Sequence, residues 1–283
     1  MANITKKKNN TFAVFIISHK RAESLLTLKS LYEANYSGDI YIIVDDQDEQ
    51  LEIYKEKYGD KVIVFSKQEM YKKTDTVDNF NKLESAVYSR NFCFELAKKL
   101  DIEYFLLIDD DIQHFQIRYV KNGKLKGKRV KDFDKVLELL IELLKIENIA
   151  CISFGSEGGF IGGASGKFSK GVGRTCCAAT ILKSKEDITY NGTQNEDFNI
   201  CVKYSVFGKM FFEIYSTSIM SPKRNSNKGG IDYQKNGNMY RSNFYSVIVA
   251  PNCCKIGVKG NDFILRKNWN AFAPKIINER WKK

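Results

Sequence analysis

The segment Tyr104-Phe-Leu-Leu-Ile-Asp109-Asp110-Asp111 decides the fold. Its five apolar residues predict a buried strand, and three carboxylates follow at the carboxyl end of that strand. Open α/β sheets bind their ligands at this end of the strands. Adjacent acids repel one another, so a cation or strong hydrogen-bond donors are expected nearby. Hard oxygen ligands suit Mg²⁺ or Mn²⁺ carrying a diphosphate, although an acidic turn that faces water would have the same sequence.

Apolar runs upstream of this segment predict further buried strands. These strands are expected at residues 12–17, 40–44 and 61–65. A helix after the first strand is expected to place Leu25, Leu28 and Tyr32 on one face, and a long helix is expected from about Asn79 to Leu100. The apolar stripe of the long helix consists of Phe80, Leu83, Val87, Arg90, Phe94 and Ala97. This alternation of strands and helices predicts a doubly wound α/β sheet with parallel strands.

The pattern changes after Asp111. Residues 115–120 and 125–130 are predicted to form a β-hairpin that turns at Asn122-Gly123. The other predicted elements are a helix at 132–146, strands at 149–154 and 176–182, and helices at 196–204 and 240–249. Residues 155–173 are rich in glycine, which predicts an extended loop or a bent antiparallel strand. From Ser216 onward, the chain is expected to form loops and a basic C-terminus, apart from the helix at 240–249.

The length and composition favour one large domain with appendages. A chain of 283 residues with 43% hydrophobic residues has enough apolar side chains for a sizeable core. We expect a basic, flexible N-terminus at residues 1–11, one α/β domain at 12–260, and a basic C-terminal extension at 261–283 that packs on the domain. No internal repeat or flexible linker divides the central range.

Charge and cysteine content indicate the kind of partner and compartment. The formal net charge of +11 favours a polyanionic partner such as nucleic acid, anionic lipid or a nucleotide, although a bias toward Lys and Asn would produce the same charge. The seven cysteines fit no zinc or redox spacing and are expected to be reduced core residues. The N-terminus has no apolar region of signal type, and no apolar run approaches transmembrane length. We therefore expect a cytoplasmic protein that does not bind membranes.

Three further groups of residues are candidates for a functional site. Arg90 lies on an apolar stripe, and a buried arginine needs a carboxylate or phosphate partner unless it reaches solvent at the helix end. Asp45 and Asp46 end the second strand, where an acid either contacts a nucleobase or ribose or forms a plain turn. Asn195-Glu196-Asp197 begins a helix, for which Asn195 suits an N-cap. One of the two acids is also a candidate general base for an acceptor hydroxyl.

Basic residues cluster in three segments of the chain. A basic hairpin can follow a phosphate backbone, but lysines also keep a solvated edge strand from aggregating. The hairpin carries Arg118, Lys121, Lys124, Lys126, Lys128, Arg129 and Lys131; the glycine-rich loop carries Lys167, Lys170 and Arg174; the third cluster is Lys223, Arg224 and Lys228. His19 and His114 are the only histidines, so no histidine metal ligand follows residue 114.

Taken together, these residues resemble the GT-A class of nucleotide-sugar glycosyltransferases. The markers occur in order: the turn from Ile16 to Arg21, Asp45, Arg90-Asn91, the acid triplet Asp109–Asp111, and Asn195-Glu196-Asp197. Within that class, the chain most resembles the phage-encoded branch associated with TET/JBP-type oxygenases, which is similar to the base J glucosyltransferases. Supporting segments are Asp78-Asn79-Phe80, Ala86 to Asn91, and Asn227-Lys-Gly-Gly230.

The resemblance implies a fold, a reaction and a set of site residues. The fold would be GT-A, a Rossmann-like, doubly wound mixed sheet, with the basic hairpin and the C-terminal extension added. The reaction would be metal-dependent transfer of a sugar, with inversion, from a nucleotide-sugar to a hydroxymethylated pyrimidine in phage DNA within the host cytoplasm. UDP-glucose is the first choice of donor, and no obligate protein partner is implied.

The resemblance also assigns roles to individual residues. Asp111 and Asp109 would hold Mn²⁺ or Mg²⁺, and Asp197, or less readily Glu196, would deprotonate the acceptor. The donor would contact Ser18, Asp45, Arg90, Asp109 and Asp110. The DNA contacts are expected from the net charge of +11 and the clustering of basic residues instead, and they are Arg118, Lys121, Lys124, Lys126, Lys128, Arg129, Lys170 and Arg174. The absence of a C-terminal histidine ligand departs from the pattern of the class, so water would complete the metal site.

Two other functions fit parts of the sequence. One is a GT-A enzyme that acts on a glycan or a lipid-linked acceptor, against which the basic hairpin and the lack of a membrane segment argue. The other is a non-catalytic nucleic-acid-binding protein on a retained transferase fold. The presence of all three acids of the triplet, and of Asn195-Glu196-Asp197, argues against the second alternative.

Overall fold

Twelve strands and seven α-helices make up the part of the chain that the computed structural model describes, which is residues 11–77, 83–146, 148–173, 175–176, 178–222, 238–260, 262–268 and 271. Strands β1 to β12 are Phe12–Ile17, Asp39–Asp45, Val62–Phe65, Tyr104–Asp109, His114–Lys121, Lys124–Arg129, Ile149–Gly155, Val172–Gly173, Ala179–Lys183, Met210–Met220, Cys254–Lys259 and Asp262–Lys267. Helices α1 to α7 are Leu26–Glu33, Leu51–Tyr58, Lys67–Lys73, Val87–Lys99, Phe133–Leu144, Glu196–Ser205 and Asn238–Val249.

Ten of these strands form one mixed sheet. Its order is β3-β2-β1-β4-β9-β7-β10-β5-β6, and β8 pairs with β10 outside this path. Strands β1 to β4 run parallel, β9 is antiparallel to β4 and β7, and β5 is antiparallel to β10. The doubly wound α/β class is therefore confirmed. Parallel pairing brings the carboxyl ends of β1, β2 and β4 to one edge of the sheet.

Both faces of the central strands are covered. On one face, Phe15 of β1 stacks on Phe105 of β4, and Phe94 of α4 meets Phe105 edge-on. On the other face, Ile16 packs with side chains of α1 and α5, including the fully buried Phe133. Strands buried on both faces are apolar at every position rather than at alternate positions, which is why the uninterrupted runs were readable as strands.

Two predicted helices differ from the sequence-based expectation in their bounds or faces. Helix α4 begins at Val87, not Asn79, and residues 78–82 lie outside the described residues. The hydroxyl of Ser85 accepts the Val87 N–H at 3.2 Å, which satisfies a free donor of the first turn. On the face predicted for the first helix, Leu25 and Leu28 are buried as expected, but Tyr32 is 52% exposed and Leu31 is buried in its place.

The C-terminal half contains a strand that the sequence did not predict. Strand β10 runs for 11 residues through Met220, so the loop expected from Ser216 is wrong. Polar residues inside the strand mask its pattern, because Glu213 is buried and accepts hydrogen bonds from the N–H and the hydroxyl of Ser156. Ser218 is fully buried as well. Burying a polar residue costs little free energy when the residue is hydrogen-bonded. Strand β10 is therefore buried although several of its residues are polar.

The glycine-rich segment and the C-terminal region complete the fold. Residues 157–160, 163–165 and 167–170 form three 3₁₀ turns, followed by β8, rather than one extended loop. Strands β11 and β12 form a hairpin packed on α7, and the predicted domain boundary at 260/261 falls in its turn. The six described cysteines are buried and carry no disulfide. In the described residues, no helix is both long enough and apolar enough to cross a membrane.

Candidate active site

The carboxyl ends of three neighbouring parallel strands meet at the candidate site. Ile17, the last residue of β1, pairs with Ile43 of β2 on one side and with Asp109 of β4 on the other. Ser18 and Asp45 therefore lie at the same sheet edge as the acid triplet. This is the edge at which open α/β sheets bind ligands.

The backbone of the acid triplet is fixed by α1. The hydroxyl of Thr27 donates to the Asp109 carbonyl at 2.6 Å and accepts the Ile112 N–H at 2.9 Å. The Thr27 N–H donates to the Asp110 carbonyl at 3.1 Å, and the Ser30 hydroxyl donates to the Ile112 carbonyl at 2.6 Å. These bonds set the directions in which the three carboxylates leave the chain.

The acids of the triplet have different partners. Asp110 is buried, and its two oxygens accept from the Ser18 hydroxyl and from the guanidinium of Arg21, each at 2.5 Å. The same nitrogen of Arg21 lies 3.2 Å from Oδ2 of Asp111, whose side chain is 27% exposed. Asp109 is 34% exposed and accepts from Arg90. Asp109 and Asp111 thus face the open side, as their expected metal-binding role requires, while Asp110 faces the protein.

Arg21 and Tyr54 are site residues that the sequence analysis did not single out. The Tyr54 hydroxyl lies 2.6 Å from the Ser18 hydroxyl and accepts the Arg21 N–H at 2.9 Å, so it fixes the turn that carries Arg21. The sequence could have indicated Arg21, because three adjacent acids need a nearby cation and Arg21 ends the polar turn that follows β1. Nothing in the sequence pattern marks the buried Tyr54 of α2.

Arg90 joins two segments that are far apart in the chain. It donates from Nε to Glu196 at 3.1 Å and from a terminal nitrogen to Asp109 at 3.1 Å, and it lies over the Tyr190 ring at 5.6 Å. Its side chain is 8% exposed, so the alternative in which it reaches solvent is wrong. A buried guanidinium between two carboxylates holds both in place, and removing Arg90 would leave the buried Glu196 without its cation.

The site carries more negative charge than its own cations neutralise. Burial is the largest cause that raises the pKa of Asp109, Arg90 opposes it, and the charges of Asp111 and Asp110 add to it, which brings this pKa to about 7. Burial also raises the pKa of Glu196, against the effect of Arg90. Raised carboxylate pKa values at a sheet edge indicate a place where a further cation is favourable.

A second charged cluster surrounds Asp45. His19 Nδ1 lies 3.0 Å from Asp45 and 3.1 Å from Asp48, and Lys67 lies 2.9 Å from the other oxygen of Asp45. The His19 and acid ligand atoms lie within 4.8 Å of one another, a spacing that suits a metal ion. Hydrogen bonds to Asp45 and Asp48 raise the pKa of His19 to about 9. His19 is therefore protonated at neutral pH, and its Nδ1 is not free to bind a metal ion. Contact of Asp45 with a base or ribose stays a prediction.

Helix α6 presents its two acids differently. Asn195 is the N-cap residue of α6, as predicted, but it adopts left-handed backbone angles, with φ 51°, and its side chain makes no capping hydrogen bond. Glu196 turns inward to Arg90. Asp197 is partly exposed, its Oδ1 accepts the Phe198 N–H at 2.8 Å, and it makes no salt bridge within the described ranges. Of the two candidate bases, Asp197 is the more exposed, and its role as a base stays a prediction.

The predicted hairpin is present, and its two faces differ. The turn at Asn122-Gly123 has positive φ at both residues, which matches the twist of the strands. Residues opposite each other in β5 and β6 share a face, and one face collects all four exposed lysines of the strands together with Tyr119, 43% exposed. We call this the lysine face; its members are Tyr119, Lys121, Lys124, Lys126 and Lys128.

The other predicted basic residues are placed differently. Arg118 lies on the opposite face, 4.3 Å over the ring of Phe160 in the glycine-rich segment, and so ties the hairpin to that segment. Arg129 shares this face and is 61% exposed. Lys170 is exposed at the end of the third 3₁₀ turn, and Arg174 lies outside the described residues. His114 contacts Gln116 at 2.6 Å, and no contact joins it to the triplet among the described residues.

Comparison with known proteins gives the family. A family model described as TET-associated glycosyltransferase matches residues 12–230. The chain belongs to this family. It is therefore a glycosyltransferase, as the resemblance implied, and the non-catalytic alternative is set aside. The chain matches none of the curated proteins with which it was compared.

Solved structures confirm the fold of this glycosyltransferase. Glucosyl-3-phosphoglycerate synthase from Mycobacterium tuberculosis, in complex with Mn²⁺, UDP and glucosyl-3-phosphoglycerate, aligns with a TM-score of 0.50 at 11% identity, over 92% of this chain and 87% of that one. The mannosyltransferase PcManGT from Pyrobaculum calidifontis, in complex with GDP-Man and Mn²⁺, aligns with a TM-score of 0.47 at 12% identity, over 76% of this chain and 58% of that one. The GT-A fold expected from the sequence is confirmed.

Proposed function

We propose that this glycosyltransferase transfers a sugar from a nucleotide-sugar, with UDP-glucose as first choice, to a hydroxymethylated pyrimidine in DNA, with Mn²⁺ or Mg²⁺ bound. The reaction would take place in the cytoplasm of a host cell. The observation that carries the proposal is the position of Asp109, Asp111 and Asp197. All three are partly exposed around Arg90, whose guanidinium spans the segments that carry them.

The residues present fit a divalent cation. In the described residues, four carboxylates (Asp109, Asp110, Asp111 and Glu196) meet two guanidinium groups, which leaves a formal charge of −2 when all four acids are ionised, as a bound cation would favour. Asp109 Oδ2 and Asp111 Oδ1 have no partner in the described part of the chain. Two hard oxygen atoms and two unbalanced charges suit Mg²⁺ or Mn²⁺. The ion would neutralise charge that develops on the leaving diphosphate.

The acceptor half of the reaction is assigned to Asp197. A hydroxymethyl group is a poor nucleophile until a base takes its proton. Glu196 shares its charge with Arg90 and is buried, so it holds the start of α6 in place rather than taking a proton. A base on the acceptor side favours a single displacement with inversion at the anomeric carbon.

The lysine face supports a DNA acceptor. Its four lysines are exposed on one side of a two-stranded ribbon, and none of them forms a salt bridge within the described residues. Solvent-exposed lysines in a row suit a phosphate backbone. A 5-hydroxymethyl group lies in the major groove, so its hydroxyl is accessible while the base stays paired in the duplex. Contacts with Lys170 and Arg174 stay predictions.

The decisive experiment is donor turnover with defined acceptors. The protein is incubated with a panel of nucleotide-sugars and Mn²⁺, with hydroxymethylpyrimidine DNA, with matched unmodified DNA, or with no DNA, and release of nucleoside diphosphate is followed. Release that requires both metal and the modified DNA is expected. Release stimulated by a glycan or lipid-linked acceptor and not by DNA would overturn the acceptor assignment. No metal-dependent donor turnover with any acceptor would contradict the proposed reaction.

A further inference from the structure

His19 is the exposed member of the charged cluster that surrounds Asp45. Its side chain is 25% exposed, whereas the side chains of the other three members, Asp45, Asp48 and Lys67, are at most 9% exposed. His19 directly follows Ser18 at the end of β1, so the cluster lies at the same sheet edge as the acid triplet. A ligand at this edge therefore meets the cluster at His19. The reaction proposed above does not use this residue.

Every carboxylate oxygen of this cluster already accepts a hydrogen bond. One oxygen of Asp45 accepts from Lys67 at 2.9 Å, and the other accepts from His19 at 3.0 Å. One oxygen of Asp48 lies 3.1 Å from His19 Nδ1, and the other accepts the Gln50 N–H at 2.8 Å. Two acids and two cations also balance in charge, so this cluster does not call for a further cation as the acid triplet does. Asp45 is therefore placed to hold His19 rather than to contact a ligand itself.

The imidazole of His19 is held by one of its two nitrogens. Nδ1 lies within 3.1 Å of both carboxylates, which only accept hydrogen bonds, so Nδ1 carries a proton. Two adjacent negative charges also favour the doubly protonated ring, and hydrogen bonds to Asp45 and Asp48 raise its pKa to about 9. Among the described residues, none forms a hydrogen bond with Nε2. The ring therefore presents one N–H donor in a fixed orientation.

The sheet places His19 beside the proposed diphosphate site rather than on it. Ile17 of β1 pairs with Asp109 of β4 on one side and with Ile43 of β2 on the other, and His19 lies two residues beyond Ile17. Neighbouring strands are about 4.8 Å apart, so β2 lies about 10 Å from β4. A nucleotide whose diphosphate is bound at Asp109 and Asp111 can therefore extend its ribose and base over the ends of β1 and β2, where His19 lies.

We propose that His19 donates a hydrogen bond from Nε2 to an oxygen of the nucleoside part of the donor, either a base carbonyl or a ribose oxygen, and that Asp45 and Asp48 are positioning residues for it. The inference rests on the proposed nucleotide-sugar-dependent function, and it moves the expected base or ribose contact from Asp45 to His19. An imidazolium has no acceptor nitrogen, so it favours a ligand oxygen over an amino group. Because both carboxylates already hold the ring, binding costs little side-chain entropy.

The test measures UMP binding by calorimetry in wild type, His19→Asn and His114→Asn. The amide nitrogen of asparagine takes the place of histidine Nδ1, so His19→Asn keeps a donor to the two acids and loses the donor to the ligand. His19→Asn is expected to bind UMP about 10- to 100-fold more weakly than wild type, as for the loss of a hydrogen bond from a charged group. His114→Asn makes the same change at a histidine that contacts Gln116 instead, and it should bind UMP as wild type does.

Binding of pyrophosphate with Mn²⁺ shows which part of the nucleotide His19 contacts. Wild type and His19→Asn are expected to bind pyrophosphate equally, because it has no nucleoside. Equal UMP affinity of the two proteins overturns the inference, and so does a loss of pyrophosphate binding as large as the loss of UMP binding. A smaller effect of His19→Asn on 2′-deoxy-UMP than on UMP identifies the ribose as the partner, and a smaller effect on CMP identifies the base carbonyl.

Nitrogen NMR of the wild-type protein tests the contact without a substitution at His19. The chain has two histidines, so ¹⁵N-labelled histidine gives two pairs of ring signals, which His114→Asn assigns. UMP is expected to shift the Nε2 signal of His19 more than its Nδ1 signal, and an unchanged Nε2 signal at saturating UMP overturns the inference. Wild type that binds neither UMP nor UDP would contradict the proposed UDP-sugar donor, which is a separate outcome from a bound nucleotide that leaves His19 unchanged.

Discussion

The guanidinium of Arg90 donates from Nε to Oε1 of Glu196 at 3.1 Å, across 106 residues of chain. Its other hydrogen bond, to Asp109, makes it a direct link between the acid triplet and the start of α6. The proposed base, Asp197, directly follows Glu196. One buried side chain therefore joins the donor side and the acceptor side of the proposed site.

Arg90→Met is expected to destabilise the protein by about 3–5 kcal/mol, because it leaves Glu196 and Asp109 without their cation. Urea unfolding followed by circular dichroism measures the loss. The double variant Arg90→Met/Glu196→Met removes both members of the most buried pair and should recover part of the stability. Equal stability of wild type and Arg90→Met would show that the ion pairs of Arg90 make no net contribution to the free energy of unfolding.

Asp111→Asn is expected to abolish the metal-dependent part of UDP binding, because the amide keeps the volume of the side chain but loses the charge that a divalent cation needs. Calorimetry with UDP in the presence and absence of Mn²⁺ measures this. Asp60→Asn, at an exposed acid outside the site, is the matched control. Unchanged Mn²⁺-dependent UDP binding in Asp111→Asn would remove Asp111 from the metal site.

Asp197→Asn is expected to slow sugar transfer by about 10²–10⁴-fold while donor affinity stays the same, since a positioned general base contributes roughly this factor. Single-turnover transfer to modified DNA gives the rate, and calorimetry gives the affinity. Asp187→Asn changes an exposed acid outside the site and should behave as wild type. Near-normal transfer by Asp197→Asn would move the role of base to another residue.

His19 predicts a pH dependence of stability. Its hydrogen bonds to Asp45 and Asp48 raise its pKa from 6.5 to about 9 in the folded protein. The stabilisation is therefore complete below about pH 6.5 and is lost as the pH rises through about 9. With one quarter of the side chain exposed, it amounts to about 2–3 kcal/mol. Urea unfolding in EDTA should show the gap between wild type and His19→Gln closing between pH 6.5 and 10; a gap that is constant with pH would contradict the assignment.

The lysine face predicts a salt-dependent DNA affinity. Lys121→Gln/Lys124→Gln/Lys126→Gln should flatten the slope of log affinity against log salt by about 2.7, from 0.9 per lost phosphate contact. The control triple changes Lys98, Lys99 and Lys145, which lie at the C-terminal ends of α4 and α5 and outside the hairpin. Donor hydrolysis without DNA should be unaffected in both variants. Identical slopes for the two triple variants would show that the lysines of the hairpin do not contact DNA phosphates.

Local chemistry explains which features could be predicted from the sequence. The strand before the acid triplet was predictable because both of its faces are buried. Such a strand has apolar residues at consecutive positions, which is easy to recognise in a sequence. The turn at Asn122-Gly123 was predictable because few residue pairs accept two positive φ angles. Strand β10 was not predictable in this way, since hydrogen bonds from Ser156 compensate the buried Glu213.

The roles within the site depend on contacts between distant segments. The sequence marked Arg90 as a buried cation in need of a carboxylate or phosphate partner, and the resemblance preferred Asp197 to Glu196 as the base without a structural reason. Only the fold shows that Glu196 is buried and bound to Arg90 whereas Asp197 is partly exposed. Arg21 was hidden for the same reason, because 89 residues separate it from Asp110.

The shape of the hairpin limits how a duplex can approach. Ile117 is the last residue of β5 that pairs with β10, and Asn122 of the turn lies five positions further along the chain. At about 3.4 Å per residue, the ribbon projects about 17 Å from the sheet on one side only, which matches about five base pairs. The footprint of the enzyme on DNA should accordingly be lopsided, with a long protected flank on one side of the modified base and a short one on the other.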